Sequence, residues 1–185
     1  STMVDWGREK YMYHFTNGDN LALDVCRQLI SDNYTHAFII NDIADDSFVS
    51  NRSRERGYIL PLYLYVDFKG QQTITNNVPR HPNLKKEIVD EFSNLLGLEF
   101  TPEKELATTT FAPIDILDYA YSILYSPTYR AKYKEYLKVD FPRIPHPKDK
   151  EIFWQLVKLG GKLRQIHLLE TPVVGKSITT YPVVG

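Results

Sequence analysis

The spacing of apolar residues changes near residue 83, and this change limits the possible folds more than any other feature of the sequence. Before it, runs such as HAFIINDI and GYILPLYLYVDF are rich in β-branched and aromatic residues, as strands are. After it, apolar residues recur every three or four positions, as on one face of a helix. The sequence therefore predicts an α+β fold, with a strand-rich N-terminal half followed by a helical C-terminal subdomain.

Three strands are predicted in the first half, within NLALDVCRQLI, HAFIINDI and GYILPLYLYVDF. The third alternates apolar residues on one face: Tyr58, Leu60, Leu62, Leu64 and Val66. Pro61 lies inside it and has no N–H to donate, so this strand should lie at a sheet edge or contain a bulge.

Four helices are predicted in the second half, over residues 83–97, 114–125, 128–138 and 149–169. Asn83 is a candidate N-cap of the first, and Gly97 should end it. Ser126-Pro127 should end the second, and Asp149 should lie near the first turn of the last.

Residues 132–147, KYKEYLKVDFPRIPHP, join two of these helices. Phe141, Ile144 and His146 each precede a proline, which favours extended backbone at these positions. We therefore expect one helix to end near Asp140 and the next to begin near Lys148. The apolar residues around this corner are expected to pack in the core: Tyr129, Tyr133, Tyr136, Phe141 and Ile144.

The chain divides by pattern into a β-rich recognition subdomain (1–82), a helical subdomain (83–170) and a strand-like tail (171–185). Its 185 residues fit one compact domain, which we expect to be a fragment of a larger protein. The single cysteine, Cys26, excludes an internal disulfide, suits the reducing cytoplasm and should be a buried, inert thiol. No apolar run approaches the ~18 residues of a membrane span.

Most catalytic motifs are missing from the sequence. It contains no Gly-x-Gly-x-x-Gly, no phosphate-binding loop and no Gly-x-Ser-x-Gly, and its histidines show no metal-site spacing. A small metal-dependent nuclease built on Asp42, Asp45 or Asp67 is a remote alternative. A second alternative is a helical protein–protein interaction module with the tyrosine-rich residues 119–136 as its surface.

Basic charge is concentrated in residues 50–86, which hold seven basic and two acidic side chains although the whole chain has a net charge of −1. Such a local patch can bind nucleic acid on a nearly neutral protein. The other interpretation is a pair of solvated surface loops.

Several stretches resemble one family. Three stretches resemble the region after the methyltransferase motifs of bacterial type ISP single-polypeptide restriction–modification enzymes: GDNLALDVCRQ, HAFIINDIADDSFVS and GYILPLYLY. Two later stretches resemble the C-terminal specificity domain of these enzymes: DILDYAYSILYSPTYRAKYKEYLKVDFPRIPHP and FWQLVKLGGKLRQIHLLE. The resemblance spans residues 17–170.

The resemblance implies sequence-specific recognition of double-stranded DNA, without catalysis or a cofactor in this fragment. The parent would be an adenine-N6 DNA methyltransferase with helicase and ATP-dependent endonuclease activity. The chain lacks the Asn-Pro-Pro-Tyr motif and the glycine-rich cofactor loop of the methyltransferase. S-adenosylmethionine, ATP and magnesium would therefore belong to other segments, and the upstream methyltransferase domain would be a partner within the same polypeptide.

Two polar loops that flank the strand GYILPLYLY are the candidate DNA contacts. Arginine and lysine contact guanine or phosphate, and amides contact adenine, but the resemblance transfers no base-contacting residue. The first loop holds Asn51, Arg52, Arg54 and Arg56, and the second holds Lys69, Gln71, Gln72, Asn76, Asn77 and Arg80. Lys85 and Lys86, at a helix start, are candidates for phosphate contact or plain solvent charges.

Overall fold

The computed structural model describes residues 9–16, 18–45, 47–52, 55–66 and 79–172, with the side chains of residues 9–11 left out. Its helices are α1 (Glu9–Thr16), α2 (Lys86–Leu96), α3 (Pro113–Tyr125), α4 (Pro127–Lys132), α5 (Lys134–Val139) and α6 (Lys150–His167). Its strands are β1 (Ala22–Cys26), β2 (Ala37–Ile40), β3 (Gly57–Pro61), β4 (Tyr63–Tyr65), β5 (Arg80–Pro82), β6 (Glu99–Phe100) and β7 (Thr110–Phe111). The predicted α+β order, with most strands first and most helices after, is confirmed. The short helix α1 was not predicted. Of the predicted strand-like tail (171–185), residues 173–185 lie outside the described residues.

An antiparallel sheet in the order β2-β1-β3 forms the centre of the N-terminal half. Strand β3 lies at its edge and ends at Pro61, so the edge placement expected from that proline is confirmed. The prediction of one long strand was wrong, because Leu62 separates β3 from β4, and β4 pairs with β5 instead. Asn20 explains the change of partner: its side chain accepts from Tyr63 N at 3.1 Å and donates to Tyr63 O at 2.8 Å.

The limits of helix α2 confirm one predicted signal and correct another. Gly97 adopts a φ of 61°, which ends the helix as expected. Asn83 is not its N-cap, and the helix begins three residues later than the prediction, after Lys85. The Asn83 side chain instead donates to Pro61 O at 2.8 Å, so it joins the helical half to the sheet.

The later helices follow their predicted caps. Ser126 ends α3, and its hydroxyl accepts from Tyr129 N at the start of α4. Asp149 caps α6 by accepting from Ile152 N at 2.7 Å. The predicted helix 128–138 is two helices, because the backbone at Tyr133 leaves helical geometry.

The proline-rich corner forms where the sequence predicted it. Helix α5 ends at Val139, with Asp140 as its cap, and α6 begins at Lys150. Phe141 and Ile144 pack against the core as expected, and so do Tyr129 and Tyr133. The same expectation for Tyr136 was wrong, because its side chain is 70% exposed to solvent.

The hydrophobic core includes residues from both halves of the chain. One cluster joins Val25 and Ala37 of the sheet to Leu124, Tyr129 and Leu137 of the helices. Another cluster joins Ile39, Leu62 and Tyr63 to Leu117 and Tyr121 of α3. Because helix α3 contributes to both, it is the element that holds the helices on the sheet. The division into three segments stays a prediction.

Helix α6 packs very closely on α3 at Gly160. A Cβ atom at this position would lie 1.8 Å from the backbone oxygen of Asp118. Beside this contact, Arg164 Nε donates to Asp118 Oδ1 at 2.7 Å, and both side chains are largely buried. The packing therefore requires glycine at residue 160.

Asp24 lies at the centre of the sheet, on strand β1, and is fully buried. Neither carboxylate oxygen has a hydrogen-bond partner within the described part of the chain. Burial raises the pKa of Asp24 to about 6. Gly57 leaves room for this carboxylate, since a Cβ there would lie 2.7 Å from Asp24 Oδ1.

Gly160→Ala should lower the free energy of unfolding by about 3 kcal/mol or more, because the added methyl would force α6 away from α3. Urea denaturation followed by circular dichroism measures this change. Leu159→Ala is the matched control: Leu159 is the neighbouring residue and is 59% exposed, so its truncation should change stability by no more than about 0.5 kcal/mol. Equal effects of the two substitutions would contradict the close packing.

Asp24→Asn should remove a pH dependence of stability. The pKa of about 6 in the folded state lies above the ordinary value of 3.8, so wild-type stability should fall as pH rises from about 4 through about 6. At roughly 1.4 kcal/mol per pH unit, the decrease relative to Asp24→Asn should reach about 3 kcal/mol by pH 7.5. Urea unfolding at several pH values measures it, and parallel stability curves for the two proteins would contradict the assignment.

Candidate nucleic-acid interface

The first candidate loop leads into the edge strand β3. Asn51, Arg52 and Arg56 have exposed side chains, whereas Arg54 lies outside the described residues. Between the arginines, the side chain of Glu55 is only 1% exposed. The loop therefore presents basic side chains to solvent while its acidic residue points inward.

Glu55 makes hydrogen bonds with three separate parts of the chain. Its Oε1 accepts from Ile30 N at 2.7 Å and from Ser31 N at 2.8 Å. Its Oε2 accepts from Ser50 Oγ at 2.6 Å and lies 3.2 Å from His36 Nε2. This carboxylate consequently joins the loop after β1, the segment just before β2 and the first candidate loop (residues 50–56), called the arginine loop from here on.

Electrostatics keep Glu55 ionised in its buried position. Burial by itself would raise its pKa, but hydrogen bonds from Ser50, Ser31 and Ile30 outweigh burial and lower the pKa to about 2. His36 Nδ1 accepts from Thr35 N, which leaves Nε2 as the nitrogen that donates to Glu55. Sequence analysis missed this role, because an acidic residue in a basic loop carries no sign of burial.

The second candidate loop connects the paired strands β4 and β5. Its base is closed by Val66 N, which donates to Pro79 O at 3.0 Å, and Tyr13 Oη donates to Val66 O. Residues 67–78, called the tip from here on, lie between Val66 and Pro79 in the sequence and outside the described residues. They include five of the candidate contacts: Lys69, Gln71, Gln72, Asn76 and Asn77.

Arg80 lies at the base of this hairpin and makes several contacts within the chain. Its guanidinium forms a bidentate ion pair with Glu103, at 2.9 and 2.8 Å, and donates to Asp19 O at 2.7 Å. It also stacks on the Tyr63 ring, with 4.0 Å between Cζ and the ring centroid. These contacts give Arg80 a clear role in fixing the hairpin base.

Lys85 and Lys86 are both exposed at the start of helix α2. Lys86 Nζ pairs with Asp90 at 2.7 Å, one turn further along the helix. Lys85 occupies the N-cap position without a side-chain cap bond. Both lysines are therefore at the surface, and they lie about 30 positions after the arginine loop in the sequence.

The two candidate loops lie at opposite ends of the β3–β4 run. Arg56 directly precedes β3, and Val66 directly follows β4. Ten residue steps of extended chain span at most about 33 Å, and the interruption at Leu62 shortens this distance. Arg56 and Val66 are therefore less than about 33 Å apart.

The residues behind the nuclease alternative do not come together. Asp42 and Asp45 are exposed and accept hydrogen bonds from the nearby backbone at Ile43 and Ser47, while Asp67 lies outside the described residues. Within the described ranges, no group of three or more His, Cys, Asp or Glu side chains could hold a metal ion. Cys26 is buried as expected, and burial raises its pKa to about 12.

The tyrosines of residues 119–136 are mostly part of the core. Tyr119, Tyr121 and Tyr129 are buried, Tyr125 and Tyr133 are half-buried, and Tyr136 is exposed. This weakens the alternative of a tyrosine-rich protein-binding surface. None of the helices in the described ranges is long and apolar enough to cross a membrane.

Comparison with known proteins gives a family for the whole chain. A family model described as the type ISP C-terminal specificity domain matches residues 1–185. No curated protein matches the chain.

The fold is similar to part of a solved structure, the cryo-EM structure of the DrdV–DNA complex. The match has a TM-score of 0.53 and 23% sequence identity, and it covers 89% of this chain. The chain spans 13% of the length of the DrdV-complex chain that it matches. The similarity therefore concerns the fold of one region within a much longer protein.

Proposed function

The chain belongs to the family of type ISP C-terminal specificity domains, and we propose that it recognises a specific sequence in double-stranded DNA through the arginine loop and the β4–β5 hairpin. The main support for this proposal is the family match over residues 1–185. The similar fold within a DNA-bound complex supports it. No step of a chemical reaction is assigned to this domain.

The two loops are proposed to have different tasks. Arg52, Arg54 and Arg56 contact phosphates, which fixes the position of the protein on the duplex without selecting a sequence. The amides of the hairpin tip contact base edges in the major groove, since an Asn or Gln amide can bond adenine at two atoms. Lys69 of the tip adds a phosphate contact, whereas Arg80 supports the tip from its base.

The remaining activities are proposed for the parent polypeptide. In this proposal, an upstream adenine-N6 DNA methyltransferase with helicase and endonuclease segments uses the sequence information that this domain supplies. S-adenosylmethionine, ATP and magnesium then act in those segments, and the enzyme works in the cytoplasm. The short span of the chain relative to its structural neighbour, 13%, supports such a division of labour.

A triple variant with alanine in place of Arg52, Arg54 and Arg56 should bind DNA at least tenfold more weakly at about 0.1 M salt. The reason is that phosphate contacts release counterions from DNA, and the variant would lose those contacts. The slope of log affinity against log salt should flatten by about 0.9 for each phosphate that an arginine no longer neutralises. Fluorescence anisotropy with cognate duplex over a salt series measures both quantities.

The matched control replaces Lys150, Lys158 and Lys162 of α6, which are exposed and carry the same total charge. This control should leave the slope close to that of the wild type. An unchanged slope in the arginine variant, or an equal change in both variants, would remove the arginine loop from the interface.

A variant with alanine in place of Gln71, Gln72, Asn76 and Asn77 should discriminate less between DNA sequences. The salt dependence of its binding should stay unchanged, because amides carry no charge. Each bidentate amide–adenine pair that is removed should reduce discrimination roughly tenfold. Selection from a library of random duplexes, followed by sequencing, measures the preferred site. The control replaces exposed helical amides, Asn94, Gln155 and Gln165, and should keep the wild-type preference. A retained preference in the hairpin variant would place base recognition elsewhere.

A further inference from the structure

We propose that Glu55 is a positioning residue for DNA binding: its buried carboxylate holds the arginine loop in the shape that contacts phosphates. This inference rests on the proposed function. It concerns the conformation of the arginine loop, whereas the family match concerns the function of the whole domain.

The contacts of Glu55 close the loop on itself. Glu55 N donates to Arg52 O at 2.9 Å, so the described residues on the two sides of residues 53 and 54 are bonded to each other. Ser50 Oγ accepts from Arg52 N at 3.3 Å and donates to the Glu55 carboxylate at 2.6 Å. The backbone of Arg52 is therefore linked to Glu55 twice, once directly through Glu55 N and once through Ser50 to the buried carboxylate.

The same carboxylate fixes the loop to the body of the protein. Its other partners, Ile30 N, Ser31 N and His36, belong to the segments around β1 and β2. Glu55 O also accepts from Cys26 Sγ at 3.2 Å. A loop held at so many points loses little conformational freedom when it binds DNA, and this preorganisation strengthens binding.

Simple electrostatics predicts the opposite effect of Glu55. An acidic residue between Arg54 and Arg56 should repel a polyanion, so its removal should strengthen DNA binding. The burial and hydrogen bonds of this carboxylate indicate instead that its charge is engaged inside the protein. The two explanations therefore differ in the sign of the effect.

The experiment compares Glu55→Ala, Glu55→Gln and Ser50→Ala by salt-dependent anisotropy with duplex DNA, and circular dichroism and urea unfolding verify that each variant is folded. Glu55→Ala should weaken binding about tenfold and flatten the salt slope, although no basic residue is removed. Ser50→Ala removes one partner and should show a smaller decrease in the same direction. Glu55→Gln should recover part of the affinity, because its amide oxygen can still accept from Ile30 N and Ser31 N.

Asp24→Asn is the matched control, because it removes a buried carboxylate from the neighbouring strand. It should leave the slope and the affinity near the wild-type values. Tighter binding by folded Glu55→Gln or Glu55→Ala would overturn the positioning role, and so would wild-type slopes in Ser50→Ala and Glu55→Gln. If Glu55→Ala does not fold, Ser50→Ala and Glu55→Gln decide the question.

The arginine triple variant separates this inference from the proposed function. A flattened slope in the triple variant with normal slopes in the Glu55 and Ser50 variants would reject only the positioning role. An unchanged slope in the triple variant would reject the arginine loop as a DNA contact, and the positioning role with it.

Discussion

The close approach of helix α6 to helix α3 at Gly160 is the contact on which the rest of the structure depends. Besides the two core clusters described above, a third contains Phe92, Phe111 and Phe153. Helix α3 is the only described helix that contributes buried residues to all three. Its Leu117 and Tyr121 pack on the sheet, and its Asp118 lies against Gly160 of α6. The buried pair of Asp118 and Arg164 lies at this contact, where the separation of the helices decides whether its hydrogen bonds can form. The sheet, and the loops that extend from it, are therefore held from the helical side.

Features with a local cause were predictable from the sequence. Gly97, Ser126 and Asp149 mark helix ends because each acts on backbone groups within a few residues, and Pro61 marks an edge strand because it lacks an N–H. Features with a distant cause were not predictable. Asn20 takes the place of a strand partner for Tyr63, 43 positions away, and Asn83 bonds to Pro61 rather than capping its own helix.

The candidate site shows the same limit. Its basic and amide residues were found by composition, since charge and amide content are visible in a sequence. The buried role of Glu55 and the packing of Arg80 on Tyr63 depend on residues that are close only after folding. The sequence could indicate which loops carry polar side chains, but the partners that hold those loops come from other segments.

The described contacts at the base of the β4–β5 hairpin are made by residues outside the segment 67–78. Val66 bonds to Pro79, Tyr63 bonds to Asn20, and Arg80 bonds to Glu103, and none of these six residues belongs to the tip, residues 67–78. A different segment in place of residues 67–78 would leave these three contacts available to hold the base of the hairpin. Under the proposed function, such an exchange would change the recognised DNA sequence while the supporting residues stay the same, and the same boundary marks where a new specificity could be grafted.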